Sequence, residues 1–293
     1  MRSFRPIHLL CVLPLFALLA LLPGCQEEVK GKKRPYSDAG DQDVSKVAIV
    51  PKSYGTVTGR ITFDGTPPTP AAIQMGNNEA VCHQGAPAEE TRDESWLVAG
   101  PNGGVKNVVI LLQPGDGKFF QIPEGQLQEK DVKVEQPRCA FIPRVFTLFC
   151  QYWDAKTNQY VNTPNKLIVH NNAAFDHNFN MLAGRENPGR NFTMRRDDTK
   201  VLTDFVPEST PLTMKCDIHA WMRCFGFMLD HPYAAVTDKD GNFKIENAPL
   251  GVDVQVVGWH EAAGFFGEGG QKGVKMTLQD NQVLNLPKLK AGR

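Results

Sequence analysis

Lys215-Cys216-Asp217-Ile218-His219-Ala220-Trp221-Met222 decides how this chain is read. A thiol, an imidazole and a thioether follow one another as Cys-x-x-His-x-x-Met. With a second imidazole from elsewhere they make up the ligand set of a mononuclear type 1 (blue) copper centre: two His and one Cys near a plane, with a weak axial Met. Redox chemistry explains these residue types. Cu(I) prefers soft thiolate and thioether, imidazole suits both oxidation states, and a compromise set changes little when an electron arrives or leaves. One Cys and two His can also hold zinc; the Met points to copper.

The flanking residues place this loop between strands. Pro211-Leu212-Thr213-Met214-Lys215 delivers Cys216 at a strand end, residues 217–221 form a tight loop, and Cys224-Phe225-Gly226-Phe227-Met228-Leu229 carries the chain away. Two histidines compete for the second imidazole. His177 sits in Asp176-His177-Asn178, and His170 ends the apolar-alternating Lys166-Leu167-Ile168-Val169-His170. Ligands on two strand ends are held more rigidly than ligands on one loop. Asn178 is either an ordinary turn residue or a side chain that ties the two ligand segments together. Trp221 and Phe225 are candidates for an apolar surface against His219, with core packing as the competing role for Phe225.

The Cys-x-x-His-x-x-Met loop resembles the short ligand loop of amicyanin-type cupredoxins. Together with Asp230-His231-Pro232-Tyr233-Ala234-Ala235-Val236-Thr237-Asp238 and Trp259-His260-Glu261, it resembles bacterial exported cupredoxin-like proteins of the plastocyanin-like or methylamine-utilisation type, over most of residues 54–261. The resemblance implies His177, Cys216, His219 and Met222 as copper ligands. It prefers His177 to His170 because His-Asn follows the strand in the resembling proteins. One departure is Pro143-Arg144-Val145, where those proteins often carry Pro-His-Val; Arg144 removes any auxiliary metal role there. His231, His260 and Glu261 belong to the resembling pattern without any chemistry attached, and are read as structural.

The leader points to export. Arg2 and Arg5 precede an apolar stretch from Leu9 to Leu22, interrupted by Pro14 and short for a membrane span. Leu22-Pro23-Gly24-Cys25 resembles a bacterial lipobox, which implies cleavage after Gly24 and lipidation of Cys25. Pro23 is uncommon at its position and keeps cleavage by an ordinary signal peptidase open. Removing residues 1–24 takes away Arg2 and Arg5 and no acidic residue, so 32 basic residues against 32 acidic become a slight acidic excess of about two charges. No basic stripe interleaved with aromatics suggests nucleic acid. Residues 25–53, polar and charged, read as a flexible tether.

Seven cysteines are present. Setting aside Cys11 in the leader, Cys25 as the lipid site and Cys216 as a ligand leaves Cys82, Cys139, Cys150 and Cys224 for disulfides in an oxidising compartment. Of the three pairings, Cys82–Cys139 with Cys150–Cys224 is preferred. The second bond would brace the metal loop and spare a free thiol from oxidation beside copper.

Gly and Pro are abundant, 26 and 21, and long amphipathic helices are absent from the pattern, so the expected class is all-β. Strands are expected in residues 55–65, in 105–112, and in Val252 to Trp259 and Val274 to Leu278. Asp238-Lys239-Asp240-Gly241 reads as a hairpin turn between Tyr233–Thr237 and Asn242–Ile245. The order of these pieces resembles a carboxypeptidase-regulatory-like (prealbumin-like) β-sandwich, built from 54–118 plus 233–293. A cupredoxin-like Greek-key sandwich, 119–232, would be inserted into it; a single elaborated cupredoxin domain is the alternative.

The expected function is a membrane-tethered, extracytoplasmic electron carrier and not an enzyme: multicopper catalysis demands further His-rich sites, and only seven His exist. Expected partners are unidentified redox proteins, with the membrane reached through Cys25 and the chain monomeric. The competing reading is a non-redox binding module of the cell envelope with a structural or vestigial metal site. Gly264 to Gly273 lacks the Lys-Ser/Thr of a phosphate loop, Asp238-x-Asp240-Gly241 is too short for a calcium loop, and no Cys-x-x-Cys-His allows covalent haem.

Overall fold

The computed structural model describes residues 28–29, 46–76, 79–82, 84–99 and 103–291. The leader and Cys25 lie outside the described residues. Among the described residues no helix is long and apolar enough to cross a membrane. The fold is all-β: besides short 3-10 turns, the described helix is the four-residue Glu79–Cys82.

Five strands form the sheet that carries the 216–222 loop, ordered Val145–Phe149, Arg223–Leu229, Leu212–Lys215, His177–Met181, Arg190–Met194. The first pair is parallel and the others antiparallel. The facing sheet runs Glu28–Val29, Thr199–Leu202, Leu167–His170, Val132–Arg138, Ala140–Ile142. Along the chain the strands cross back and forth between these two sheets. Phe146, Leu148, Phe179, Met181 and Met214 from one sheet meet Val134, Leu167, Val169 and Leu202 from the other in a common core.

A second pair of sheets comes from the two ends of the described chain. One is ordered Ala234–Val236, Val109–Gln113, Asp253–His260, Gly264–Phe266, with Val274–Thr277 also pairing Asp253–His260; the other is Asn242–Leu250, Ser53–Arg60, Gln282–Leu284. Val57, Ile61, Ile110, Leu112, Val254 and Val256 fill the space between them.

Strand alternation explains how the two halves meet. In Val109–Gln113, Ile110 and Leu112 face that inner core, while Val109 and Leu111 face outward. In Asp253–His260, Val254 and Val256 face inward, and Val257 and Trp259 outward. Those outward residues pack on Val145, Phe227 and Leu229, the back of the sheet that carries the 216–222 loop. Both central sheets are therefore buried on two faces, which is why Val109-Ile110-Leu111-Leu112 reads as an unbroken apolar run.

Four expectations need correction. First, the turn at 238–241 exists, with the Gly241 N–H donating to the Asp238 carbonyl at 3.0 Å, but it joins no hairpin. Ala234–Val236 pairs with Val109–Gln113, and Asn242–Leu250 pairs with Ser53–Arg60, so the turn is a corner between two sheets. Second, the stretch expected as tether is in part paired: Glu28–Val29 lies parallel to Thr199–Leu202, and Val47–Ile49 parallel to Lys118–Phe120. Third, the strand expected over 105–112 is split at Asn107, whose φ of 64° ends the extended run.

Fourth, Cys82 and Cys139 are bonded, but Cys150 and Cys224 are free, buried thiols. Parallel pairing of Val145 with Phe225 through Phe149 with Leu229 puts Cys224 before one end of the strand pair and Cys150 past the other. Six residues of strand separate them, roughly 20 Å. A disulfide tolerates only about 7 Å between Cα atoms. Burial pushes both thiols up and keeps them protonated. Protection from oxidation comes from burial, not pairing.

Candidate metal centre

The loop is a continuation of the Leu212–Lys215/Arg223–Leu229 hairpin. Met214 pairs with Cys224 and Lys215 with Arg223; the Cys216 N–H then donates to the Met222 carbonyl at 3.1 Å. Cys216 and Met222 are thus cross-strand neighbours and leave the hairpin on the same face. Alternation puts Met214, Cys216, Met222 and Cys224 on the core side, all buried, while Lys215 and Arg223 project the other way. The Met222 N–H donates to the His219 carbonyl at 2.9 Å and closes the loop.

His177 opens the strand His177–Met181. Met181 pairs with Met214 and Asn180 with Lys215, so the chain running back to His177 lies beside the loop instead of beside the strand. His177 and His219 present their Nδ1 atoms to each other at 3.1 Å. The Cys216 sulfur is 4.0 Å from the first and 3.9 Å from the second. All three residues are buried. This triangle matches an ion: a point in its plane lies roughly 2.0 Å from both nitrogens and roughly 2.3 Å from sulfur, the ordinary metal–imidazole and metal–thiolate lengths.

Burial, with the neighbouring His219 imidazole adding to it, lowers His177 to about 4; burial lowers His219 as well. Both imidazoles are kept neutral, as ligation requires. His170 is elsewhere: it lies on the facing sheet, with its Nδ1 2.9 Å from the Thr199 hydroxyl.

Asn178 holds the segments that carry His177 and Cys216 together. Its Oδ1 accepts from the Asp217 N–H at 2.6 Å, and its Nδ2 donates to the Asp217 carboxylate at 2.9 Å. Sequence reasoning missed the rest of this clamp. Asn180 and Asn191 also donate to Asp217, and the Lys215 ammonium sits 2.8 Å from it. Lys215 first and then the amides bring the Asp217 carboxyl down to about 2. Asn and Asp this close to a loop are compatible with turns, so only the fold exposes the cluster. Asn178→Ala is expected to lower metal affinity 10- to 100-fold, the usual cost of losing a group that orients ligands. Competition against a chelator measures it, and an unchanged affinity would remove Asn178 from the positioning of His177.

Aromatic rings wall the site. Trp221 lies 5.3 Å from His219, and Phe175, which sequence reasoning also missed, lies 5.1 Å from His177. Phe225 is on the opposite face of the hairpin against Trp259, in the contact between the two halves. Ile218, at the loop tip, is 54 % exposed.

Arg144 sits in a part-buried ion cluster. Its Nε and Nη2 donate to Glu261 at 2.6 and 2.8 Å, and its Nη1 to Glu94 at 3.0 Å. Glu261 follows Asp253–His260, so this contact ties the sheet that carries the 216–222 loop to the other half. His260 packs on Trp96, and His231 on Tyr233 and Phe120.

No family model and no curated protein matches the chain. Among solved structures, an amicyanin mutant in its reduced state is similar at 14 % identity and a TM-score of 0.27, covering 37 % of this chain and 87 % of that one. Amicyanin from Paracoccus versutus is similar at 14 % identity and a TM-score of 0.27, covering 37 % and 86 %. A copper-containing nitrite reductase from Thermus scotoductus SA-01 aligns at 12 % identity and a TM-score of 0.28, covering 35 % and 23 %. Scores this low carry no argument about chemistry, which rests on the donor triangle.

Proposed function

We propose that this chain is a type 1 copper protein that carries single electrons between redox partners, held at the cell envelope by a lipid on Cys25. The observation that carries the proposal is the donor triangle of His177, Cys216 and His219, with Met222 leaving the hairpin on the same face as Cys216. Copper, when bound, supplies a reversible one-electron couple at a potential tuned by its ligands and their hydrogen bonds.

The chain's own residues do the rest. His177 opens the strand His177–Met181 and Cys216 directly follows the strand Leu212–Lys215, and the Asn178–Asp217 clamp fixes the segments on which His177 and Cys216 are carried. Phe175 and Trp221 keep water from the imidazoles, so little reorganises as charge changes. Ile218 and Trp221 offer a partner protein an apolar contact near His219. In this reading residues 119–232 are the cupredoxin-like unit and 54–118 plus 233–293 the carboxypeptidase-regulatory-like unit that presents it. No substrate bond is made or broken.

The test is optical. Copper-loaded protein should show an intense thiolate-to-copper band that bleaches on reduction, and Cys216→Ser should lack it. Colourless copper-loaded protein would reject the assignment.

A further inference from the structure

His219 has a second set of sulfur neighbours. One of its ring nitrogens and the sulfurs of Cys82 and Cys139 lie within 4.8 Å of one another, and all three residues are buried. Cys82 and Cys139 are joined, with Cα atoms 5.2 Å apart. A disulfide sulfur is not the ligating species; the thiolate is.

The surroundings would keep these groups together if the bond opened. The Trp221 indole N–H donates to the Cys139 carbonyl at 3.1 Å, tying Cys139 to the loop that carries His219. Cys82 and Met75 are packed in the same core as Cys216 and Met222. Cys139, Trp221 and Met222 also line a cleft of about 400 Å³, which gives a small reductant and an ion a way in.

We propose that reduction of Cys82–Cys139 by an external dithiol uncovers a second soft-metal site, made of Cys82, Cys139 and His219, that takes Cu(I). The dithiol is oxidised to its disulfide as the protein disulfide becomes two thiols. Binding of Cu(I) then releases the two thiol protons and changes no oxidation state. Two thiolates and one imidazole are a soft set suited to Cu(I). Cys216, His177 and Met222 take no part, so His219 is the one residue shared with the blue-copper assignment. In the native chain both sites draw on His219, and filling one changes the affinity of the other.

The test uses the full-length Cys216→Ser chain, which lacks the thiolate of the first centre. It is reduced with dithiothreitol, freed of reductant without air, and titrated with Cu(I) against bicinchoninate. The reduced chain is expected to hold one equivalent of Cu(I) more than the unreduced chain retains on His177, His219 and Met222. Adding Cys82→Ser is expected to abolish that binding, and X-ray absorption of the loaded chain should show sulfur together with imidazole scattering. No reduction-dependent binding would overturn the proposal. Full binding in the Cys82→Ser chain would do so too, because the ion would then sit on other thiols such as Cys150 or Cys224. So would loss of near-ultraviolet circular dichroism on reduction, since His219 reaches this site only through the fold. Failure of the blue-copper assignment reads out separately, in the Cu(II) spectrum of the native chain.

Discussion

His177→Ala is expected to weaken copper binding by more than about a hundredfold and to erase the visible band, while His170→Ala leaves both nearly unchanged. Loss of a group that merely orients a ligand costs roughly 10- to 100-fold; loss of the ligand itself exceeds that. His177 is fully buried, and its Nδ1 faces those of His219 and the Cys216 sulfur. His170 belongs to the facing sheet and is engaged with Thr199. Competition against a chelator and the visible spectrum of both variants decide the matter. A large loss in His170→Ala, or none in His177→Ala, would move the second imidazole away from His177.

Arg144→Met should destabilise the fold by about 3–5 kcal/mol at neutral pH, because one partner is removed and Glu261 and Glu94 are left largely desolvated without a counter-charge. The side chains of Arg144 and Glu261 are only 10 % and 6 % exposed. Burial opposes the charge on Arg144, and the hydrogen bonds and attraction of Glu261 more than restore it. Burial also raises Glu94 even with the arginine present. Without the attraction of Arg144, Glu94 should titrate further above its unfolded value. Its neutral form is then favoured in the fold, so the deficit shrinks as pH falls towards the unfolded carboxyl range and grows as pH rises through the folded value. Denaturant unfolding of both proteins at pH 7 and near pH 4.5 checks this. A deficit below about 1 kcal/mol at pH 7, or one that grows in acid, would contradict it. Arg144→Met with Glu261→Met should recover part of the loss.

These two effects mark how far the sequence could be read. Cys216, His219 and Met222 are close in the chain, and a hairpin can return them to one face by local geometry alone. His177 is 39 residues from Cys216, and its choice over His170 rested on resemblance. Local pattern could not separate the two, because both lie at strand ends; they end up on opposite sheets. Arg144 appeared in the sequence only as a departure from a pattern. Its partners Glu94 and Glu261 are 50 and 117 residues away, and nothing local announces them.

The failed expectations share a cause. The 238–241 turn carries every local mark of a hairpin, but turn chemistry says nothing about which strands its two arms will join. Cys150–Cys224 looked reasonable by number and compartment, yet parallel register set the two thiols at opposite ends of one strand pair. The break at Asn107 follows from one left-handed residue inside an otherwise strand-like run.

By itself the amino-acid order determined the all-β class, the strand-loop-strand form of residues 212–229 and the soft donor set of the loop. Each depends on residue type and short spacing, which act over a few residues of backbone. Only tertiary structure decided which imidazole meets the thiol, which cysteines bond, and how Arg144 fastens the halves together. Those outcomes depend on strand register and on packing between distant segments, and sequence separation carries no measure of either.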